Sequence, residues 1–110
     1  MKLKLYLLPL FLGMLWPLLI APLQAQEART HRVEISDFEF VPNTVRARVG
    51  DQIIFVNKDT VPHTATQTPT GWDSGTLTTG KSWSFMIQAS GSLVYHCRFH
   101  PKMTASIVVQ

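Results

Sequence analysis

In several runs from residue 31 onward, apolar residues recur at every second position. Val33 and Ile35 alternate with Arg32 and Glu34, and Val45, Ala47 and Val49 with Arg46 and Arg48. Trp83, Phe85 and Ile87 alternate with Ser82, Ser84 and Met86, and Leu93, Tyr95 and Cys97 with Val94 and His96. A period of two puts successive side chains on opposite faces, the pattern of a half-buried strand rather than a helix. The unbroken run Ile53-Ile54-Phe55-Val56 predicts a central strand, and Ile107 and Val109 predict a closing one. Turn residues punctuate the runs at Pro42-Asn43, Gly50-Asp51, Asn57-Lys58-Asp59, Thr70-Gly71, Thr79-Gly80 and Ser90-Gly91. The pattern predicts an all-β chain of about six to eight short strands, folded as a sandwich or barrel. No repeat or low-complexity tract interrupts it.

Residues 1–25 follow another pattern. Lys2 and Lys4 are followed by no charged residue until Glu27, with a Leu-rich run to Ile20 and a small residue at Ala25. This order of charged start, apolar run and small residue predicts a secretory signal peptide cut after Ala25. Cleavage nearer Ala28 and retention as an anchor are the alternatives. The uncharged stretch from Leu5 to Gln26 is about long enough to span a bilayer, given the ~20 residues a spanning helix needs, but Pro9, Gly13, Pro17 and Pro22 weaken a helix there. Residues 26–110 then form one small domain near the lower size limit for a stable core, which a bound metal would help.

Charge changes the picture little. The chain carries ten basic and seven acidic residues, a net +3, and loss of Lys2 and Lys4 with the leader leaves +1. Arg46, Arg48 and Lys58 are scattered, with no basic stripe of the kind that neutralises phosphates, so nucleic acid is excluded as a partner.

The concentrated chemistry lies in residues 95–103, Y-H-C-R-F-H-P-K-M. Cys97, His100 and Met103 offer a thiolate, an imidazole and a thioether at intervals of three, a set that suits copper when one more histidine joins. A strand ending at Cys97 and turning through Arg98-Phe99 can swing His100 and Met103 around one point, and His63, just after the central strand, is the expected fourth ligand. A single cysteine forms no internal disulfide, and in an exported chain an unpaired thiol is a hazard unless it has a task. Strand phase puts Cys97 on the side of Leu93 and Tyr95, facing the interior, so the metal is expected at one end of the fold. The blander alternatives are an inert buried Cys97 and a Phe99 engaged in core packing.

These residues resemble a known family. Asn57-Lys58-Asp59 leading to Val61-Pro62-His63, then Trp72-Asp73-Ser74-Gly75-Thr76-Leu77, Gly80-Lys81-Ser82, and Tyr95-His96-Cys97 through His100-Pro101 to Met103 resemble the cupredoxins. The Cys-x2-His-x2-Met spacing is similar to that of the amicyanins within them, and the likeness covers residues 31–110. It implies a Greek-key β-sandwich holding one type 1 copper ion, with His63, Cys97 and His100 as equatorial ligands and Met103 as the weak axial one. It further implies a monomeric periplasmic electron carrier, not an enzyme, cycling between Cu(I) and Cu(II). Its partners would be redox proteins, a dehydrogenase or cytochrome as donor and a cytochrome c or oxidase as acceptor, with no membrane contact for the mature domain. The residue after the first histidine ligand is often Asn in such proteins and here is Thr64, whose hydroxyl is expected to take over part of tying the ligand loops together. His100 is expected to serve as electron port within an apolar patch of Phe99, Pro101 and Pro62, with Arg98 and Lys102 favouring acidic partners.

Other assignments compete with the carrier. A copper-storing or copper-delivering protein would use the same ligand types. Zinc could take His63, Cys97 and His100, but Met103 is a poor zinc ligand. His96 beside Cys97 could join two copper centres only in a chain with a second such domain. His31 is expected to be solvated at a frayed start, and Met86 to pack at a surface or edge.

Overall fold

The computed structural model describes residues 1–22, 26–68 and 71–110. The expected cut after Ala25 and Thr70 of the Thr70-Gly71 turn lie outside the described residues. Residues 1–22 form no helix or strand, and no helix among the described residues is long and apolar enough to cross a membrane.

Among the described residues the alternation seen in the sequence becomes seven strands: β1 (Thr30–Ser36), β2 (Glu39–Val41), β3 (Thr44–Ala47), β4 (Gln52–Asn57), β5 (Ser82–Met86), β6 (Gly91–Cys97) and β7 (His100–Val109). They make an all-β sandwich of two sheets, one ordered β2-β1-β4-β5 and the other β3-β7-β6. Each sheet mixes one parallel pair with antiparallel ones. β1 runs parallel to β4 with Val33 opposite Phe55, and β3 parallel to β7 with Val45 opposite Ile107. Inward residues of both sheets, among them Val33, Ile35, Ile53, Phe55, Tyr95 and Ile107, are fully buried in one core. Phe55 is its hub. Phe40 and Tyr95 meet its ring steeply, at interplanar angles of 74° and 71°, while Trp83 and Phe85 stack on it.

The expected alternation fails at Val49, which is half exposed. β3 ends at Ala47, and the chain turns through Gly50 at φ +94°, a left-handed conformation that a side chain resists. Asp51 after it is buried and acts as a latch. Its carboxylate accepts the backbone N–H groups of Arg29 and Arg48 and meets His31 Nε2 at 2.9 Å. His31 is therefore not a solvated residue at a frayed end: the parallel register of β1 and β4 sets it beside Ile53, within reach of Asp51.

The N–H of Arg29, the His31 ring and the N–H of Arg48 hold the Asp51 carboxyl down at about 2. A depressed carboxyl pKa contributes stability that is complete above the unfolded value near 4 and is lost as pH falls toward the folded one. Acid titration of the melting temperature should therefore show a loss between about pH 4 and 2. Asp51→Asn should lower the plateau and flatten that slope, and an unchanged slope in the variant would show that other carboxyls carry it.

The latch marks one end of the sandwich. At the other end β4 finishes at Asn57, β6 finishes at Cys97, and the chain makes a long excursion before β5 begins at Ser82. Asn57 is fully buried and pins that excursion: its side-chain amide donates to the carbonyls of Val61 and Leu77, and its oxygen accepts the N–H of Asp59. With its polar side-chain atoms paired, Asn57 organises this end without the cost of a buried unsatisfied amide.

Candidate metal centre

Three donor side chains meet where the Asn57 excursion crosses the β6–β7 turn. One ligating atom from each of His63, Cys97 and His100 lies within 4.8 Å of the others. Nδ1 of His63 and Nδ1 of His100 each lie 3.7 Å from Cys97 Sγ. His63 and Cys97 are fully buried, and His100 is partly exposed.

Backbone structure sets each of them. Cys97 ends β6 on the inward phase shared with Tyr95. Across from it the register slips: His96 pairs with Thr104, but Cys97 pairs with His100. Pro101, Lys102 and Met103 are thus extra residues on β7, an enlarged bulge that bends the strand back at its start. Met103 regains the inward phase of Ala105 and Ile107 and is nearly fully buried in the same core cluster as Cys97. His63 is held by a two-way backbone bridge with Leu77.

The His63 ring is oriented by a residue that sequence reasoning passed over. Nε2 of His63 lies 2.7 Å from Asp59 Oδ2. A carboxylate only accepts, so Nε2 carries the ring proton and Nδ1 presents its lone pair toward Cys97 Sγ. The same carboxylate accepts the N–H groups of Asp37 and Phe38. Phe38's N–H, the His63 ring and Asp37's N–H together hold the Asp59 carboxyl below the ordinary range in spite of burial, which opposes them. An acid four residues before a ligand histidine was the signal available in the sequence.

Phe38 was also missed. Asp37 and Phe38 take positive φ values of 50° and 59° between β1 and β2, turning the Phe38 ring out of the strand pattern. The ring stands edge-on to both imidazoles, at centroid distances of 5.4 Å to His63 and 4.9 Å to His100. Asp59 thus fixes one imidazole directly and, through the turn it grips, the aromatic ring that touches both.

Thr64 joins the two ligand loops. Its backbone N–H donates to Cys97 Sγ at 3.3 Å, and its hydroxyl accepts the N–H of Arg98 at 2.9 Å. Phe99, His100, Pro101 and Lys102 line one shallow apolar depression, with Phe99 half exposed rather than packed in the core. Pro62 is exposed beside His63 but does not line it. Arg98 pairs with Asp73, so its charge is compensated rather than offered outward.

The sequence model of the Cupredoxin-like domain matches residues 9–109. The chain belongs to the cupredoxin-like family. This cupredoxin is 32% identical over 97 residues to methylamine utilization protein MauL of Methylophilus methylotrophus, a match covering 81% of the chain and 56% of MauL's own length. Among solved structures, the reduced state of an amicyanin variant superposes with a TM-score of 0.70 at 22% identity, over 74% of this chain and 82% of that one. A purple cupredoxin from Nitrosopumilus maritimus gives 0.68 at 21% identity, over 76% of this chain and all of that one. These two likenesses bear on the fold. The cofactor of the cupredoxin is one copper ion, and the donor chemistry fits it: two imidazoles and a thiol bring their ligating atoms within 4.8 Å of one another, and the soft Met103 thioether is buried in the same core cluster as Cys97.

Proposed function

We propose that this cupredoxin is a periplasmic carrier of single electrons, with copper held by Nδ1 of His63, Sγ of Cys97 and Nδ1 of His100, and by the Met103 thioether as a weak axial ligand. The observation that carries the proposal is the convergence of both Nδ1 atoms on one buried sulfur, each at 3.7 Å. Bound there, copper supplies a one-electron Cu(I)/Cu(II) couple.

The chain's own residues supply rigidity, dryness and an exit. His63 is locked by Leu77 and Asp59, Cys97 by β6 and the Thr64 N–H, and His100 by its pairing with Cys97. Donors fixed by backbone ladders move little when an electron arrives, which keeps the barrier to transfer low. The buried sides of His63, Cys97 and Met103 keep water away, and the partly exposed His100 is the port. Phe99, Pro101 and Lys102 surround it with a small, mostly apolar docking surface, to which the nearby Pro62 belongs in this proposal. Such a surface suits a brief encounter with another redox protein, a dehydrogenase or cytochrome donating and a cytochrome c or oxidase accepting. Residues 1–25 act as the export signal, and residues 26–110 work as a monomer that performs no catalysis of its own.

The test is the visible spectrum of the copper-loaded, oxidised protein during reductant titration. One intense thiolate-to-copper band that bleaches reversibly with one electron equivalent is expected. A pale complex, or uptake of Cu(I) alone, would instead indicate a protein that stores or delivers copper.

A further inference from the structure

Beyond Thr64, a polar chain continues away from the metal centre and closes on itself. The Arg98 N–H donates to Thr64 Oγ1 at 2.9 Å, Thr64 Oγ1 lies 2.9 Å from Thr66 Oγ1, and Thr66 donates to Asp73 Oδ1 at 3.2 Å. Asp73 Oδ2 then pairs with the guanidinium of Arg98, returning to the residue where the chain began. The proton directions follow from the chemistry. The Asp73 carboxylate only accepts, so the single Thr66 proton points at it, and Thr66 Oγ1 must accept from the Thr64 hydroxyl. Every hydroxyl is therefore aligned toward one negative charge, and aligned hydrogen bonds strengthen one another. Thr64 and Thr66 are buried, at 2% and 4% exposure, where the polarisation is least screened.

We propose that Thr66 and Asp73 are positioning residues that set the reduction potential of the copper centre by holding Thr64, whose N–H meets the Cys97 sulfur, against Arg98, the residue that follows Cys97. The proposal rests on the copper assignment above. The closed ring fixes Thr64, whose N–H donates to Cys97 Sγ, and Arg98, the next residue in the chain. A hydrogen bond to the thiolate draws electron density from sulfur and favours the reduced, electron-rich state, and such bonds are a known lever on the potential of thiolate-bound copper. Releasing the ring lets the N–H retreat, so the oxidised state gains and the potential falls.

Thr66→Val tests this with the backbone kept in place. Valine is also β-branched, and the mutual backbone bonds between Thr66 and His96 do not involve the side chain. The variant should show a lower potential and a shifted thiolate band. In its metal-free form the Arg98 amide proton should exchange roughly fivefold faster, the factor that one lost hydrogen bond typically gives. Thr66→Ser, which keeps the hydroxyl, should restore all three values, and Asp73→Asn, at a partly exposed position, should shift the potential in the same direction by less. A folded, blue Thr66→Val protein with the wild-type potential and band would overturn the proposal while leaving the copper assignment standing. A wild-type protein that forms no blue site would overturn both. Should Thr66→Val fail to fold, Asp73→Asn decides: an unchanged potential there overturns the proposal.

Discussion

Replacing Cys97 by serine is expected to abolish the intense visible absorption of the copper-loaded protein while leaving the sandwich folded. The colour of such a centre comes from a thiolate giving electron density to Cu(II), and a serine hydroxyl stays protonated near neutral pH and is a harder, weaker donor. His63 and His100 would remain, so the variant should still take up Cu(II), as a pale two-imidazole complex. The fold should tolerate the change because the side chains are nearly the same size and the Thr64 N–H that met sulfur at 3.3 Å can meet the new oxygen instead. A stability loss of about 1–2 kcal/mol is the expected scale for such a buried polar exchange. Absorption spectra with a circular dichroism melt check both halves, and persistent strong colour in the serine variant would remove Cys97 from the centre.

The residues that show the family are those whose chemistry is local in the chain. Cys97, His100 and Met103 lie within one short stretch, so their spacing could be read directly, and strand phase correctly put Cys97 inside with Tyr95. The alternation likewise marked most strands, because a half-buried strand repeats its own environment every second residue. What the sequence hid depends on pairings between distant segments. Nothing near His31 shows that β1 runs parallel to β4, yet that register is what brings it to Asp51. Nothing near Phe38 shows the turn that lifts its ring onto the two imidazoles, because that turn needs Asp59 to grip the N–H groups of Asp37 and Phe38 from 22 and 21 residues away. Val49 extended a periodic run that ends when the chain turns at Gly50. The bulge at Pro101 to Met103 is a property of two paired strands and has no counterpart in either alone.

Asp59 joins these two kinds of information, and its substitution should be the most damaging change among residues that touch no metal. Asp59→Asn is nearly isosteric, but it cannot serve the same three donors. One carboxylate oxygen accepts the Asp37 N–H and the other accepts both the Phe38 N–H and His63 Nε2. Whichever way the new amide turns, its NH2 faces an N–H group, so either the turn carrying Phe38 loosens or the His63 proton loses its acceptor. In the second case the imidazole no longer has a fixed tautomer, and part of the population presents a protonated Nδ1 to the metal. Loss of such an orienting partner typically costs about 10- to 100-fold in metal affinity. Competition with a copper chelator should show a loss in that range for Asp59→Asn, and Asp59→Glu should recover part of it if its longer arm still reaches Nε2. The alternative, that Asp59 matters only for folding, makes a different prediction. It requires the melting temperature of the metal-free protein to fall without a matching loss of affinity once the variant is folded. Wild-type copper affinity in a folded Asp59→Asn protein would show that the Leu77 bridge alone suffices to aim His63.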